Sequence, residues 1–301
     1  MSAKKAKVAV PTCPFCCAST EFLPLADTQY KFNRCVRCGY WTARAGDDSW
    51  PTFDYNDAPD YVTEVRDWNI IIRDVKRVMK HKFAVARVAK KRFLDIGCSE
   101  GAYVAAARDL GWGAAGIEVD EAKLARCLDR GLDCRKVNLL SSPPTTIPTA
   151  DFVLLRHVIE HIPDFIRFTR AAGAAVADGG VLWVEVPNQA AERLCGHTRK
   201  VREGRYLGSL YPPTHLHAFE PRALRHLAGA IGLSCERIVT YANSNDNWLP
   251  RYLCRISGGK KMLHWLLERT GYGFNIAAIY RKTARAQPQS GNGLLRHHPY
   301  I

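Results

Sequence analysis

Phe93-Leu94-Asp95-Ile96-Gly97-Cys98-Ser99-Glu100-Gly101 is the stretch on which the reading of the fold turns. It opens as an apolar strand and passes into a loop with two glycines, and AYVAAARDLGW then reads as a helix. A strand, a glycine-bearing turn and a helix amino terminus in this order let backbone amides approach a ligand closely. The next apolar stretch, Ala114 to Asp120, carries Glu118 at the tip of a second strand. A carboxylate there is placed to accept hydrogen bonds from ribose hydroxyls.

Downstream, strands and helices keep alternating. Cys134 to Leu139 fits a third strand and Asp151 to Leu155 a fourth, which leads into Arg156-His157-Val158-Ile159-Glu160-His161. Residues 164–178 look helical, Val181 to Val186 is a fifth strand, and Ser234 to Ala242 and Phe274 to Lys282 read as the sixth and seventh. Alternation of this kind predicts an α/β fold with a mostly parallel sheet.

The D-x-G-x-x-x-G loop with its acidic second strand resembles the class I S-adenosylmethionine-dependent methyltransferases, whereas nicotinamide enzymes want G-x-G-x-x-G. RHVIEH resembles the HVLEH signature of many small-molecule members, and Thr214 to Pro221 resembles their H-L-x-x-F-[ST]-P segment. Over Phe93 to Tyr280 the resemblance implies a Rossmann-like seven-stranded methyltransferase sheet whose last strand is antiparallel, and S-adenosyl-L-methionine as cofactor. It implies cofactor contacts at Asp95, Gly97, Cys98, Gly101, Glu118, Val119, Asn138, Leu139 and Arg156. Ser99 stands where the family has its middle glycine, which a negative φ would accommodate. Methyltransferases of exocyclic base amines typically follow the fourth strand with an acid or Asn, Pro-Pro and an aromatic. RHVIEH stands there instead, and Ser142-Pro143-Pro144-Thr145 precedes the strand without an aromatic.

Before this domain, Cys13-Pro-Phe-Cys16 and Cys35-Val-Arg-Cys38 have the spacing of a zinc ribbon. Two knuckles put four thiolates round a tetrahedral ion, and a structural Zn2+ is expected over 1–48, with Cys17 spare. Phe22, Leu23, Leu25, Tyr30 and Phe32 suggest two short strands between the knuckles, a scaffold more than a nucleic-acid face. Residues 49–92 form a helical connector in which Tyr61, Val65, Trp68, Ile72, Val75 and Val78 make one apolar stripe, to which no chemistry is assigned. The N-terminal segment lacks the apolar run of a secretory signal, and no stretch reaches the roughly 18 apolar residues of a spanning helix. A cytoplasmic address without membrane contact is therefore expected, where cysteines stay reduced.

The net charge of +14 is unevenly spread. Residues 1–92 carry 17 basic and 10 acidic side chains, residues 93–187 carry 9 and 13, and residues 188–301 carry 17 and 6. Basicity thus gathers in the half that receives the acceptor, 188–282, which holds an insertion and a lid ahead of a tail at 283–301. Arg193, Arg199, Lys200, Arg202 and Arg205 suit an anionic small molecule, since guanidinium groups pair with phosphate oxygens. A sugar or sugar nucleotide is preferred because zinc-bearing members resembling this layout act there. An RNA-modifying enzyme and a non-catalytic binding module are the competing readings. For a base, His215 comes first, His157 second and Tyr211 third, with His217 a lesser candidate. Glu160 and His161 read as fixing the loop, and no metal is expected at the His157-x-x-x-His161 spacing, because methyl transfer from a sulfonium needs none.

Overall fold

The structure, a computed structural model, describes residues 12–16, 18, 20–23, 30–45, 49, 67–143, 146–195, 209–210, 212–241, 270 and 272–283. Strands β1 (Thr20–Leu23), β2 (Tyr30–Cys35) and β3 (Tyr40–Ala45) come first, followed by helix α1 (Trp68–Ala86). The helix starts later than the apolar stripe predicts, because Asp67 caps it by accepting the Asn69 N–H at 2.8 Å. Such a cap is worth about 1 kcal/mol. Its inward face carries Ile72, Met79, Lys82 and Ala86, a spacing that turns Val78 outward to 42% exposure. Tyr61 and Val65 lie outside the described residues.

The alternating region then runs β4 (Arg92–Ile96), α2 (Ala102–Asp109), β5 (Gly113–Glu118), α3 (Glu121–Asp129), β6 (Cys134–Lys136) and β7 (Ala150–Arg156). A 3-10 turn at Ile159–His161 leads to α4 (Phe165–Ala174), β8 (Val176–Pro187) and α5 (Gln189–Cys195). Last come β9 (His217–Phe219), α6 (Pro221–Ile231), β10 (Ser234–Tyr241) and β11 (Asn275–Arg281). The main sheet has seven strands in the order β10-β11-β8-β7-β4-β5-β6. β4, β5, β6, β7 and β8 pair in parallel, and β11 is antiparallel to both neighbours, as the resemblance implied. Phe93, Phe152, Leu154 and Trp183 are buried on the face that α1 covers, and Leu94, Val153, Leu155 and Val184 on the face under α4 and α6. Strands apolar on both faces are what a sheet covered on both sides requires.

Three boundaries differ from expectation. β6 stops at Lys136, short of Leu139. α4 ends at Ala174, short of the expected 178, and β8 already begins at Val176, which puts Asp178-Gly179-Gly180 inside the strand. These residues form a bulge, since Val176 lies opposite Ala150 and Val181 opposite Phe152. A Cβ at Gly180 would come 2.8 Å from the Asp151 carbonyl, which is why glycine stands there.

The N-terminal sheet is larger than the expected pair. It has the order β1-β2-β3-β9, so a strand from the acceptor half completes it, with Phe219 opposite Tyr40 and His217 opposite Thr42. The same segment touches the main domain, where the Leu216 N–H donates to the Glu160 carbonyl at 2.9 Å. The cysteine module is thereby built into the domain beside the RHVIEH motif. No helix among the described residues is long and apolar enough to cross a membrane.

Candidate active site

The loop after β4 is wound through left-handed backbone. Gly97 has φ +76° and Gly101 has φ +82°, and a Cβ on Gly97 would come 2.7 Å from Val158 Cγ2. Ser99 also has positive φ, at +50°, which corrects the expectation of a negative one. Non-glycine residues adopt this region at a cost of about 1–2 kcal/mol. Glu118 offsets it, its Oε2 accepting the Ser99 N–H at 2.7 Å while the Cys127 thiol donates to the Ser99 carbonyl at 3.1 Å. Glu118 Oε1 meanwhile accepts the Val119 and Asp120 N–H groups at 2.8 and 3.0 Å. The carboxylate therefore shapes the loop and still has an acceptor position to spare.

Asp95 is buried at the carboxyl end of β4. Burial, with Cys134 next, pushes its pKa up to about 8, against the opposing pull of Arg156. Cys98 and Leu139 are buried, while Val119 and Asn138 are exposed, and Asn138 Oδ1 accepts the Leu140 N–H at 2.9 Å. Arg156 ends β7 with its Nε donating to Glu185 Oε1 at 2.8 Å. The second Glu185 oxygen takes the Lys82 ammonium, which reaches it from α1. Burial pushes Glu185 up, yet Lys82, Arg156 and His157 together hold it down at about 2. Sequence reading missed this network, although its signal was present: Lys82 sits between Met79 and Ala86 on the apolar stripe, and Glu185 interrupts the apolar run of β8.

Past β7, His157 adopts φ +51° and its Nδ1 lies 3.2 Å from Glu160 Oε1. Glu160 is 1% exposed. Burial pushes its carboxyl up, but the His157 hydrogen bond and the imidazoles of His161, His157 and His215 hold it below its ordinary value. An ionised carboxylate accepts, so His157 Nδ1 carries the proton and Nε2 the lone pair. His215 is drawn to the same place, with Nδ1 donating to the Ser209 carbonyl at 2.7 Å and its ring 4.6 Å from that of His161. Burial lowers its pKa. His217 has no such role, because it is 1% exposed and its Nε2 donates to the Ile162 carbonyl at 3.0 Å. Tyr211, Arg199, Lys200, Arg202 and Arg205 lie outside the described residues, as do Trp248, Tyr252 and Trp265 of the expected lid, and the Arg193 side chain is likewise not described.

At the N-terminal knuckles all four sulfurs of Cys13, Cys16, Cys35 and Cys38 lie within 4.8 Å of one another, with 3.6 Å between Cys13 and Cys38 and 3.5 Å between Cys16 and Cys35. Zn–S bonds of about 2.3 Å in a tetrahedron put sulfurs roughly 3.8 Å apart, so the set fits zinc. Gly39 closes the second knuckle at φ +73°. On the opposite side of the fold, a cavity of about 500 Å³ opens at the amino-terminal edge of the sheet beside Arg92 and Asp151, away from all of these groups.

The sheet order, the glycine loop and the acidic tip of β5 together define the class of S-adenosylmethionine-dependent methyltransferases. A family model described as a methyltransferase domain matches residues 71–238, more than half of the chain. The chain belongs to this family. Among solved structures, it is similar to the candidate methyltransferase in complex with the Haloferax volcanii Trm112 methyltransferase activator, at 13% identity over 72% of this chain and 93% of that one, TM-score 0.51. A SAM-dependent methyltransferase from Archaeoglobus fulgidus gives 14% identity over 72% and 95%, TM-score 0.47. The magnesium protoporphyrin IX methyltransferase of Synechocystis with bound SAH gives 13% over 70% and 83%, TM-score 0.45. Identities this low speak for the fold alone. No curated protein matches the chain.

Proposed function

We propose that the chain methylates an oxygen, nitrogen or carbon of a small anionic acceptor, a sugar or sugar nucleotide in particular, with His157 as general base. The observation that carries this reading is the His157–Glu160 pair, one residue from Val158, which closes against Gly97 in the cofactor loop. Asp95, Gly97, Cys98 and Gly101 are assigned to the cradle, Glu118 and Val119 to the ribose, Asn138 and Leu139 to the adenine, and Arg156 to the methionine end. Bound there, S-adenosylmethionine supplies a methyl group already activated by its sulfonium. His157 Nε2 takes the proton of the acceptor, and Glu160 balances the resulting imidazolium. His215 ranks below His157 here, because burial depresses its basicity and its ring is tied to Ser209. The preference for an anion rests on the basic excess of residues 188–301. We assign a structural Zn2+ to Cys13, Cys16, Cys35 and Cys38, where it supplies cross-linking and no catalysis.

Purified chain, incubated with labelled S-adenosylmethionine and a panel of sugar nucleotides, tests the reading. His157→Asn is expected to lower kcat by about 10²–10⁴ with cofactor affinity unchanged, and His215→Asn by less. Unaltered turnover in His157→Asn would remove the base assignment. Transfer to RNA but to no member of the panel would replace the acceptor class.

A further inference from the structure

Glu160, His161 and His215 converge in a way that proton transfer to His157 does not use. One ligand atom of each lies within 4.8 Å of the other two. Glu160 Oε1 receives the His157 N–H at 3.2 Å, but Oε2, equally buried, has no hydrogen-bond partner. Leaving a buried acceptor unsatisfied costs about 1–3 kcal/mol, and more when it is charged. A carboxylate oxygen held this way calls for a positive partner.

The two imidazoles are held to match. His161 Nδ1 lies 2.9 Å from the Thr214 carbonyl and His215 Nδ1 lies 2.7 Å from the Ser209 carbonyl. A carbonyl oxygen only accepts, so both Nδ1 atoms carry protons, and in the neutral rings it is Nε2 that presents the lone pair a cation requires. A ring N–H given to a backbone carbonyl is the usual support of a metal-bound histidine. The three residues also come from two segments far apart in sequence, joined by the Leu216 N–H on the Glu160 carbonyl at 2.9 Å. That strut fixes the spacing between them.

We infer that Glu160, His161 and His215 form a binding site for a divalent transition-metal ion of the Zn2+, Co2+ or Fe2+ kind. Two imidazoles and one carboxylate suit these borderline ions and leave positions open for an oxygen of the acceptor. The inference goes beyond methyl transfer and revises the expectation that this motif holds no metal. The Glu160 carboxylate then serves two neighbours, His157 through Oε1 and the ion through Oε2.

The test is calorimetric and spectroscopic titration with Co2+ of full-length chain loaded with a single equivalent of Zn2+, which fills the tighter four-cysteine set and leaves the Glu160, His161 and His215 set empty. One further Co2+ per chain is expected, with visible d–d absorption and no thiolate-to-cobalt charge-transfer band. His161→Ala and His215→Ala should each weaken this uptake by at least about tenfold. Retained S-adenosylhomocysteine binding identifies the variants that fold, and Glu160→Gln serves if either histidine variant does not. No extra uptake by the wild-type chain, uptake with the thiolate band alone, or uptake undiminished in the folded variants overturns the site. Because the readout is binding, a failed metal site leaves methyl transfer standing, and an inactive enzyme leaves the metal site standing.

Discussion

Tyr40 and His217 lie 2.7 Å apart, hydroxyl to Nδ1, although 177 residues separate them in sequence. His217 Nε2 is committed as donor to the Ile162 carbonyl, so Nδ1 must accept and the Tyr40 hydroxyl must donate. The ring is therefore neutral by construction. One imidazole clamps the N-terminal sheet to the segment that follows the RHVIEH motif.

Acid should loosen this clamp. Burial lowers the His217 pKa to about 3, whereas an unfolded histidine titrates near 6.5. A depressed histidine contributes stability that is fully present above about pH 6.5 and is lost as pH falls toward 3. Thermal unfolding between pH 7 and 4 should show the loss, and His217→Gln should flatten it while costing about 1–3 kcal/mol at pH 7. Parallel pH profiles for the two proteins would contradict the assignment.

Asp95 should behave in the opposite sense. Its folded pKa of about 8 exceeds the unfolded value near 3.9, so the folded chain holds a proton that the unfolded chain has lost, and stability declines as pH rises from 4 to 8. Asp95→Asn removes that decline and should raise the melting temperature at pH 8. The same substitution should weaken S-adenosylhomocysteine binding, which calorimetry reads directly. A variant that is neither stabilised nor impaired in binding would place Asp95 outside the cofactor cradle.

Lys82 ties α1 to the carboxyl edge of the sheet. It is buried against Glu185 and lies 4.4 Å from the Trp183 ring centre. Removing one partner of a buried pair costs about 3–5 kcal/mol, and the Arg156 contact left on Glu185 puts Lys82→Met near 3 kcal/mol. Urea unfolding measures it. A cost below about 1 kcal/mol would show the pair to be solvated.

Chelation should reach further than the knuckles. If zinc holds Cys13, Cys16, Cys35 and Cys38, stripping it frees β3 from its support, and β9 loses its partner. Hydrogen exchange at Ala43, whose N–H donates to the Leu216 carbonyl at 2.9 Å, should accelerate together with that at Leu216. Acceleration at Ala43 alone would mean that the two sheets are energetically independent.

The nonapeptide at Phe93 to Gly101 foretold the strand, loop and helix it forms because each signal is local: an apolar run, glycines and a helix-forming stretch. The positive φ of Ser99 was not foretold, since what holds it is Glu118, delivered by the next strand. β9 was passed over for a similar reason. Three residues carry too little periodicity to read as a strand, and their pairing partner, β3, lies far upstream in the N-terminal module. His215 and His157 could be singled out by residue type, but their convergence on Glu160 depends on the fold of two distant segments.

The β3–β9 pairing also has a consequence for how the chain is made. Synthesis runs from the amino terminus, so β3 emerges with one edge open and keeps it until Phe219 leaves the ribosome. An unpaired strand edge invites the wrong neighbours. Knuckles closed early round a metal would keep that edge narrow and ordered through the wait, and the cysteines would then guard a nascent chain as well as fasten a finished one.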